Sequence, residues 1–179
     1  MKIKEIVQTS LIAATIIILG MIPPLPLGII PVPVVMQNLG IMLAGALLGS
    51  KRGTIAVALV LLLALIGFPV LSGGSVGPAV FVGPTGGYLF GWLMAPSIMG
   101  YGLSQPFVNR AWSKMAVIWL VGVLFVDLVG SIWLWLVSPI SLANSLISNL
   151  AFIPGDTLKS IAVYLVAVRV QALTHVSTR

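Results

Sequence analysis

The chain has 179 residues, 59% hydrophobic and only 7% charged, with nine Lys and Arg against three Asp and Glu. A soluble domain carries roughly 25% charged residues, and the mean hydropathy here is +1.19. These values exclude a soluble globular domain and a disordered chain; no basic cluster on a water-exposed face supports a nucleic-acid binder, despite a pI near 10.2.

The longest stretch without a charge, 53–109, is 57 residues, enough for two bilayer crossings at about 20 residues each. The apolar runs lack the alternation of barrel strands, so the spanning segments are expected to be helices. The first is read over 5–21 and ends at Pro23, Pro24 and Pro26. It lacks a small-x-small cleavage site and more apolar segments follow, so it is read as a retained helix rather than a signal peptide.

The second and third segments, 34–49 and 53–66, are separated by Lys51 and Arg52. Burying that pair at mid-membrane in one fused helix would be costly. Both segments are short for a full crossing, which predicts tilt or local bilayer thinning. The third stops at Gly67-Phe68-Pro69. The remaining segments are read over 85–103, 111–137 and 155–172, the last opened by Pro154 and Gly155. The expected fold is one all-α integral membrane domain over 1–179, a bundle of six transmembrane helices.

Charge placement fits that count. Lys2, Lys4, Lys51, Arg52, Arg110, Lys114, Arg169 and Arg179 all fall at one end of a six-helix arrangement, and the loops at the other end, 22–33, 67–84 and 138–153, carry no Lys or Arg. The positive-inside rule then places both termini in the cytoplasm and the bare loops outside a cell membrane.

Asp127, Asp156 and Lys159 fall within membrane depth or at its outer rim. Such ionisable groups usually face a cavity or one another. Asp156 and Lys159, three apart, share one helical face. One reading makes Asp156 a helix cap and Lys159 an outward-snorkelling anchor. The other makes them a polar site, with Asp156 accepting from a ligand N–H and Lys159 favouring an anionic group. Asp127 is open between a proton-coupling group, a pocket wall and a buried acid paired with Lys159 or held neutral.

Ten of the twelve prolines lie on or next to the outer side. The segment Ser72-Gly73-Gly74-Ser75, followed by Gly83-Pro84-Thr85-Gly86-Gly87-Tyr88, is apolar around its glycines. It reads as a lid packed on the bundle, its glycines serving either backbone approach to a ligand or close helix packing. Tyr88 offers a ring and a hydroxyl, and Gln37 an outer polar group. Ser10 and Ala14 form a small-x-x-x-small pair on the first helix, for internal packing or for a partner's helix.

Catalysis is not expected. Gly45 to Lys51 lacks the spacing of a phosphate-binding loop, and the sole histidine, His175, lies in the tail and reads as a solvated residue. No His/Cys/Asp/Glu cluster offers a metal site, and the absence of cysteine excludes disulfides.

The run Pro31-Val32-Pro33-Val34-Val35-Met36-Gln37-Asn38-Leu39-Gly40, continuing to Gly49, resembles the BioY family, as do Gly67-Phe68-Pro69-Val70, Gly83-Pro84-Thr85-Gly86-Gly87-Tyr88 and Pro154-Gly155-Asp156-x-x-Lys159. These proteins are biotin-specific substrate-binding (S) components of energy-coupling factor (ECF) transporters. The resemblance implies the S-component fold, with biotin held beneath the connection between the first and second helices and that between the third and fourth. It implies a transmembrane coupling protein and two ATPases as partners, and no cofactor, since biotin is the transported ligand and ATP is used only by the partners.

By the same resemblance Asp156 and Lys159 contact biotin and Tyr88 packs against it. Gln37, Gly73, Gly74, Ser75, Thr85 and Gly86 complete the expected site. Some members carry an Asn in the loop between the third and fourth helices, where this chain has none; backbone groups or Ser75 would substitute. The family's Ala-x-x-x-Ala docking strip reads Ser10-x-x-x-Ala14 here. The expected function is high-affinity biotin capture for uptake driven by that module; the alternative is a solitary vitamin transporter.

Overall fold

The computed structural model describes residues 2–26, 28 and 31–176, with side chains described as far as Val170. The side chain of His175, and Arg179 altogether, fall outside the described residues. The described residues are helical apart from connections and one antiparallel bridge, in which Leu25 and Val34 exchange two backbone hydrogen bonds of 2.9 Å.

Helix α1, Ile3–Gly20, buries Thr9, Ile12, Ala13, Ile16 and Gly20, a stripe at the i, i+3, i+4 spacing of one helical face. That face packs on α2, Gln37–Leu65. A Cβ on Gly40 would come within 2.9 Å of Ile16 Cγ1, so the two backbones run close together.

α2 covers 29 residues but is broken into two helices at Gly49, where φ is 74° and ψ is −172°. Only glycine adopts that region without strain. The chain folds back there: a Cβ on Gly53 would lie 2.5 Å from the Ala44 carbonyl oxygen, whereas nine residues of straight helix would hold these positions roughly 13 Å apart. α2 is thus a hairpin of two arms, 37–48 and 50–65, with Lys51 and Arg52 at its tip. The two segments expected from the charge pair are both present, and the first starts at Gln37 rather than 34 because Val34 is held extended in its bridge to Leu25.

Two connections expected to be irregular contain structure. The first holds a 3₁₀ turn, Ser72–Gly74, and a short helix α3, Pro78–Val82. The second, expected to be a bare loop over 138–153, holds α6, Leu142–Asn149, capped by Ser141, whose Oγ accepts from the Asn144 N–H at 3.2 Å. Between them, α4 spans Gly86–Leu103 and α5 spans Ala111–Val137, the latter widened into a π-helical stretch at Leu120–Phe125. α7 runs over Ile153–Val176, so Pro154 and Gly155 lie in its first turn rather than before it.

By length and composition α1, α2 and α5 are each apolar and long enough to cross a membrane, and α6 with α7, bent by 50°, forms a fourth such unit. That differs from six segments because the two arms of the α2 hairpin count together as one helix, and because α4 mixes Gly, Tyr, Trp, Ser and Pro96 into its apolar run.

The hairpin tip with Lys51 and Arg52 lies at the same end as the start of α1. Arg52 Nη1 donates to Gln8 Oε1 at 3.0 Å, tying the hairpin tip to the start of α1. The C-terminal end of α4 meets the same tip: Ser50 Oγ donates to the Ser97 carbonyl at 3.0 Å, and a Cβ on Gly100 would fall 2.1 Å from the Ser50 nitrogen. The opposite end carries the proline-rich connections.

Gly100→Ala is therefore expected to lower the thermal unfolding temperature of the detergent-solubilised protein, by overpacking worth about 1–3 kcal/mol. Gly155→Ala, which meets nothing within 4 Å, is expected to leave it unchanged or slightly raised. Equal melting temperatures for the two variants would refute the close α2–α4 contact.

Candidate functional site

A cavity of about 270 Å³ opens at the proline-rich end, near the lower limit of small-molecule sites, roughly 300–1,000 Å³. Its wall is mostly apolar, with Val32, Leu71, Leu89, Trp92, Val126 and Phe152 among the lining residues. Polar groups enter from the start of α2 (Gln37, Asn38), the following connection (Ser72, Ser75), the start of α4 (Thr85, Tyr88), α5 (Asp127) and α7 (Asp156).

At the start of α7, Asp156 is buried and both its oxygens are engaged. Lys159 Nζ approaches Oδ1 at 2.6 Å, and Asn38 Nδ2 donates to Oδ2 at 3.1 Å. Lys159 also donates to the Val35 carbonyl at 2.8 Å. With 7% exposure, Lys159 is not an outward-snorkelling anchor. Its ammonium turns inward because a carboxylate and a free carbonyl await it, and an unpaired charge at this depth would be costly. It supports Asp156 from behind and is not among the residues lining the cavity.

Asn38 links three elements. Besides Asp156 it donates to the Gly122 carbonyl at 3.2 Å, on the π-helical stretch of α5, and its own Oδ1 is buried without a partner. Gln37, fully buried, secures the connection above: Nε2 donates to the Val70 carbonyl at 2.8 Å, and Oε1 accepts from Ser72 N–H at 3.1 Å and Ser72 O–H at 3.3 Å.

Tyr88 O–H donates to Asn149 Oδ1 at 2.7 Å, and its ring meets Phe152 edge-on with centroids 6.1 Å apart. Asn149 Nδ2 donates in turn to the Asp127 backbone carbonyl at 2.7 Å and to Ser131 Oγ. α6 thereby locks Tyr88 to α5. Asp127 lines the cavity and is not ion-paired with Lys159; among the described residues the Asp156–Lys159 contact is the only salt bridge.

The glycines divide by role. Gly73 and Gly74, at φ 71° and 70°, shape the connection and do not line the cavity, although Ser72 and Ser75 beside them do. Gly86 is a packing position. A Cβ there would sit 2.0 Å from the Phe81 carbonyl oxygen, and one on Gly87 would strike Trp133 Cβ at 2.1 Å. Thr85 lines the cavity, its hydroxyl donating to the Val80 carbonyl at 3.3 Å. Ser10 and Ala14 lie far along α1 on its exposed face, beside Val7, Leu11 and Ile18.

Asn38, Trp92, Asn149 and Phe152 were not singled out from the sequence. Asn38 carried two signals, its place beside Gln37 and within the run that resembles the family, whereas Asn149 lay in a connection expected to be irregular.

An all-helical, apolar chain enclosing a largely apolar cavity with a few converging polar groups defines a membrane protein that binds a small solute. The chain belongs to the BioY family, whose model matches residues 1–175. It is 47% identical over 173 residues to "Biotin transporter BioY" of Lactococcus lactis subsp. cremoris, covering 95% of this chain and 92% of that protein. A biotin transporter BioY of Rhizobium etli is 41% identical over 168 residues, covering 90% and 89%. The fold matches the crystal structure of the S-component for biotin from an ECF-type ABC transporter with a TM-score of 0.93, at 47% identity, over 96% of this chain and 92% of that one. These relatives are transporter components rather than enzymes.

Removing one member of the buried pair should cost more than removing both. Lys159→Met is expected to destabilise the protein by about 3–5 kcal/mol, since it leaves Asp156 buried and uncompensated. Asp156→Asn combined with Lys159→Met should restore much of that loss in thermal unfolding. A double variant no more stable than the single one would contradict a stability role for the pair.

Proposed function

We propose that the chain is a biotin-capturing membrane subunit that admits the vitamin from the outside and takes part in its uptake. The observation that carries this reading is the placement of Asp156 on the wall of an apolar cavity, with its carboxylate held by Lys159 and Asn38. Biotin matches such a site: its bicycle and tail are apolar, its ureido ring offers N–H donors, and few polar anchors are needed to orient it. The printed functions of the relatives support the same ligand.

Six membrane-crossing segments, α1, the two arms of α2, α4, α5 and α7, agree with the hairpin at Gly49 and with Lys51 and Arg52 at its tip, the end where α1 starts. The positive-inside rule then favours cytoplasmic termini in the plasma membrane and an outward-facing cavity. The chain has no phosphate-binding loop, so ATP-driven uptake requires a coupling protein and ATPases of an ECF module. The exposed Ser10–Ala14 strip on α1 suits a close helix contact with such a coupling protein.

Equilibrium binding of biotin to the purified, detergent-solubilised chain without partners tests the ligand. Saturable binding is expected, weakened about tenfold or more by Asp156→Asn, the scale of losing a hydrogen bond to a charged group. A folded wild-type protein that does not bind biotin would overturn the reading.

Docking makes a separate prediction. Ala14→Trp should prevent co-purification with a coupling module while leaving the biotin affinity of the isolated chain within about twofold, because Ala14 faces away from the cavity. Unchanged co-purification would remove the strip from the interface.

A further inference from the structure

Two acids line the cavity, and only one is satisfied by the protein. Asp156 has a cation on one oxygen and an amide on the other. Asp127 is 7% exposed, and its buried Oδ2 has no hydrogen-bond partner among the described residues. The neighbour best placed to help it does something else: Asn149 spends its amide on the Asp127 backbone carbonyl and on Ser131. Tyr88 gives its proton to Asn149. The backbone of Asp127 is therefore held firmly while its carboxyl makes no hydrogen bond among the described residues; Oδ2 is occluded, which leaves Oδ1 as the oxygen that faces the cavity.

A buried carboxyl oxygen without a donor is costly, and native proteins rarely leave one so. A ligand N–H that reaches Oδ1 would give the carboxyl its one donor and offset part of that cost. Lys159 is already committed to Asp156 and Val35, so an anionic group placed beside Asp127 would find no base there to pair with. The end of the cavity at Asp127 thus suits a neutral or cationic donor and disfavours a carboxylate.

We infer that Asp127 is a specificity-determining residue, whose carboxyl accepts an N–H from the ureido head of bound biotin and turns the ligand's carboxylate tail away. The inference rests on the biotin reading above. It assigns the two acids different tasks. Asp156 joins α7, α2 and α5 into a wall while presenting its carboxylate to the ligand, and Asp127 supplies a second, unspent acceptor for the head group.

The test compares biotin with 2-iminobiotin, in which a guanidinium group, cationic near neutral pH, replaces the ureido ring. Dissociation constants are measured for both ligands on the purified wild-type chain and on Asp127→Asn. The wild type is expected to bind both. The substitution should weaken biotin about tenfold, through loss of the carboxyl acceptor, and 2-iminobiotin by roughly a further tenfold, because the guanidinium can displace the proton from Asp127 and pair with the resulting carboxylate, whereas Asn cannot ionise. Losses that are equal for the two ligands, affinities within about twofold of wild type, or a wild type that binds biotin but rejects 2-iminobiotin would each overturn the inference. A wild type that binds neither ligand would instead overturn the biotin reading itself.

A second measurement needs no variant. Dicyclohexylcarbodiimide, an apolar carboxyl reagent, should label Asp127 in the ligand-free wild type, and saturating biotin should suppress that label at least several-fold, as read by mass spectrometry. Labelling at Asp127 that is the same with and without biotin would overturn the contact.

Discussion

The buried contact among Asp156, Lys159, Asn38 and the Val35 carbonyl is where the bundle closes around its cavity. Asp156 and Lys159 belong to α7, Asn38 to α2, and Val35 to the extended stretch before it; Asn38 then reaches the Gly122 carbonyl on α5. Segments far apart in the chain thus meet through one small set of polar atoms. In a setting where water cannot substitute, polar atoms must be met by the protein, and among the described residues only Asn38 Oδ1 in this set is left without a partner. The cation and carboxylate exist at that depth only because they neutralise each other, and the amide orients both.

Around this point the cavity is framed by polar ties rather than by packing alone. Gln37 binds the Val70 carbonyl and Ser72, so the connection over the cavity is rooted at the start of α2. Tyr88 is held by Asn149 from the opposite wall. Trp133 Nε1 donates to the Gly83 carbonyl at 2.9 Å, securing the entry to α4. The apolar lining then has a fixed shape without a continuous hydrogen-bonded surface, which suits a ligand that is mostly hydrocarbon.

Much of this was legible in the sequence where the signal is local. Proline and glycine punctuation marks the helices, and Lys51-Arg52 identifies the hairpin tip because charge burial is costly whatever the tertiary fold. The three-residue spacing of Asp156 and Lys159 puts them on one face of any helix. What could not be read depends on partners distant in the chain. Lys159 turns inward only because Val35 and Asp156 await it, and Asn38 and Asn149 are amides with no periodicity to mark them. Gly86 and Gly73 look alike as letters, yet one is pressed against the Phe81 carbonyl and the other takes a left-handed backbone. α6 escaped notice because eight residues between Ser141 and Leu150 present too short a pattern to separate a capped helix from a connection.

The hairpin at Gly49 also bears on how the bundle assembles. Ala44 and Gly53 touch although the chain between them is short, and the entropy lost in closing a loop grows with its length. Two antiparallel helices joined without an intervening connection therefore meet at little entropic cost. α4 lies against both through Pro96, Met99 and Gly100, and it can add to a platform already formed. The contacts that close the cavity lie at the other extreme, for Lys159 and Val35 are 124 residues apart. Assembly consequently runs from a locally encoded corner towards a ligand site that only the finished chain can complete.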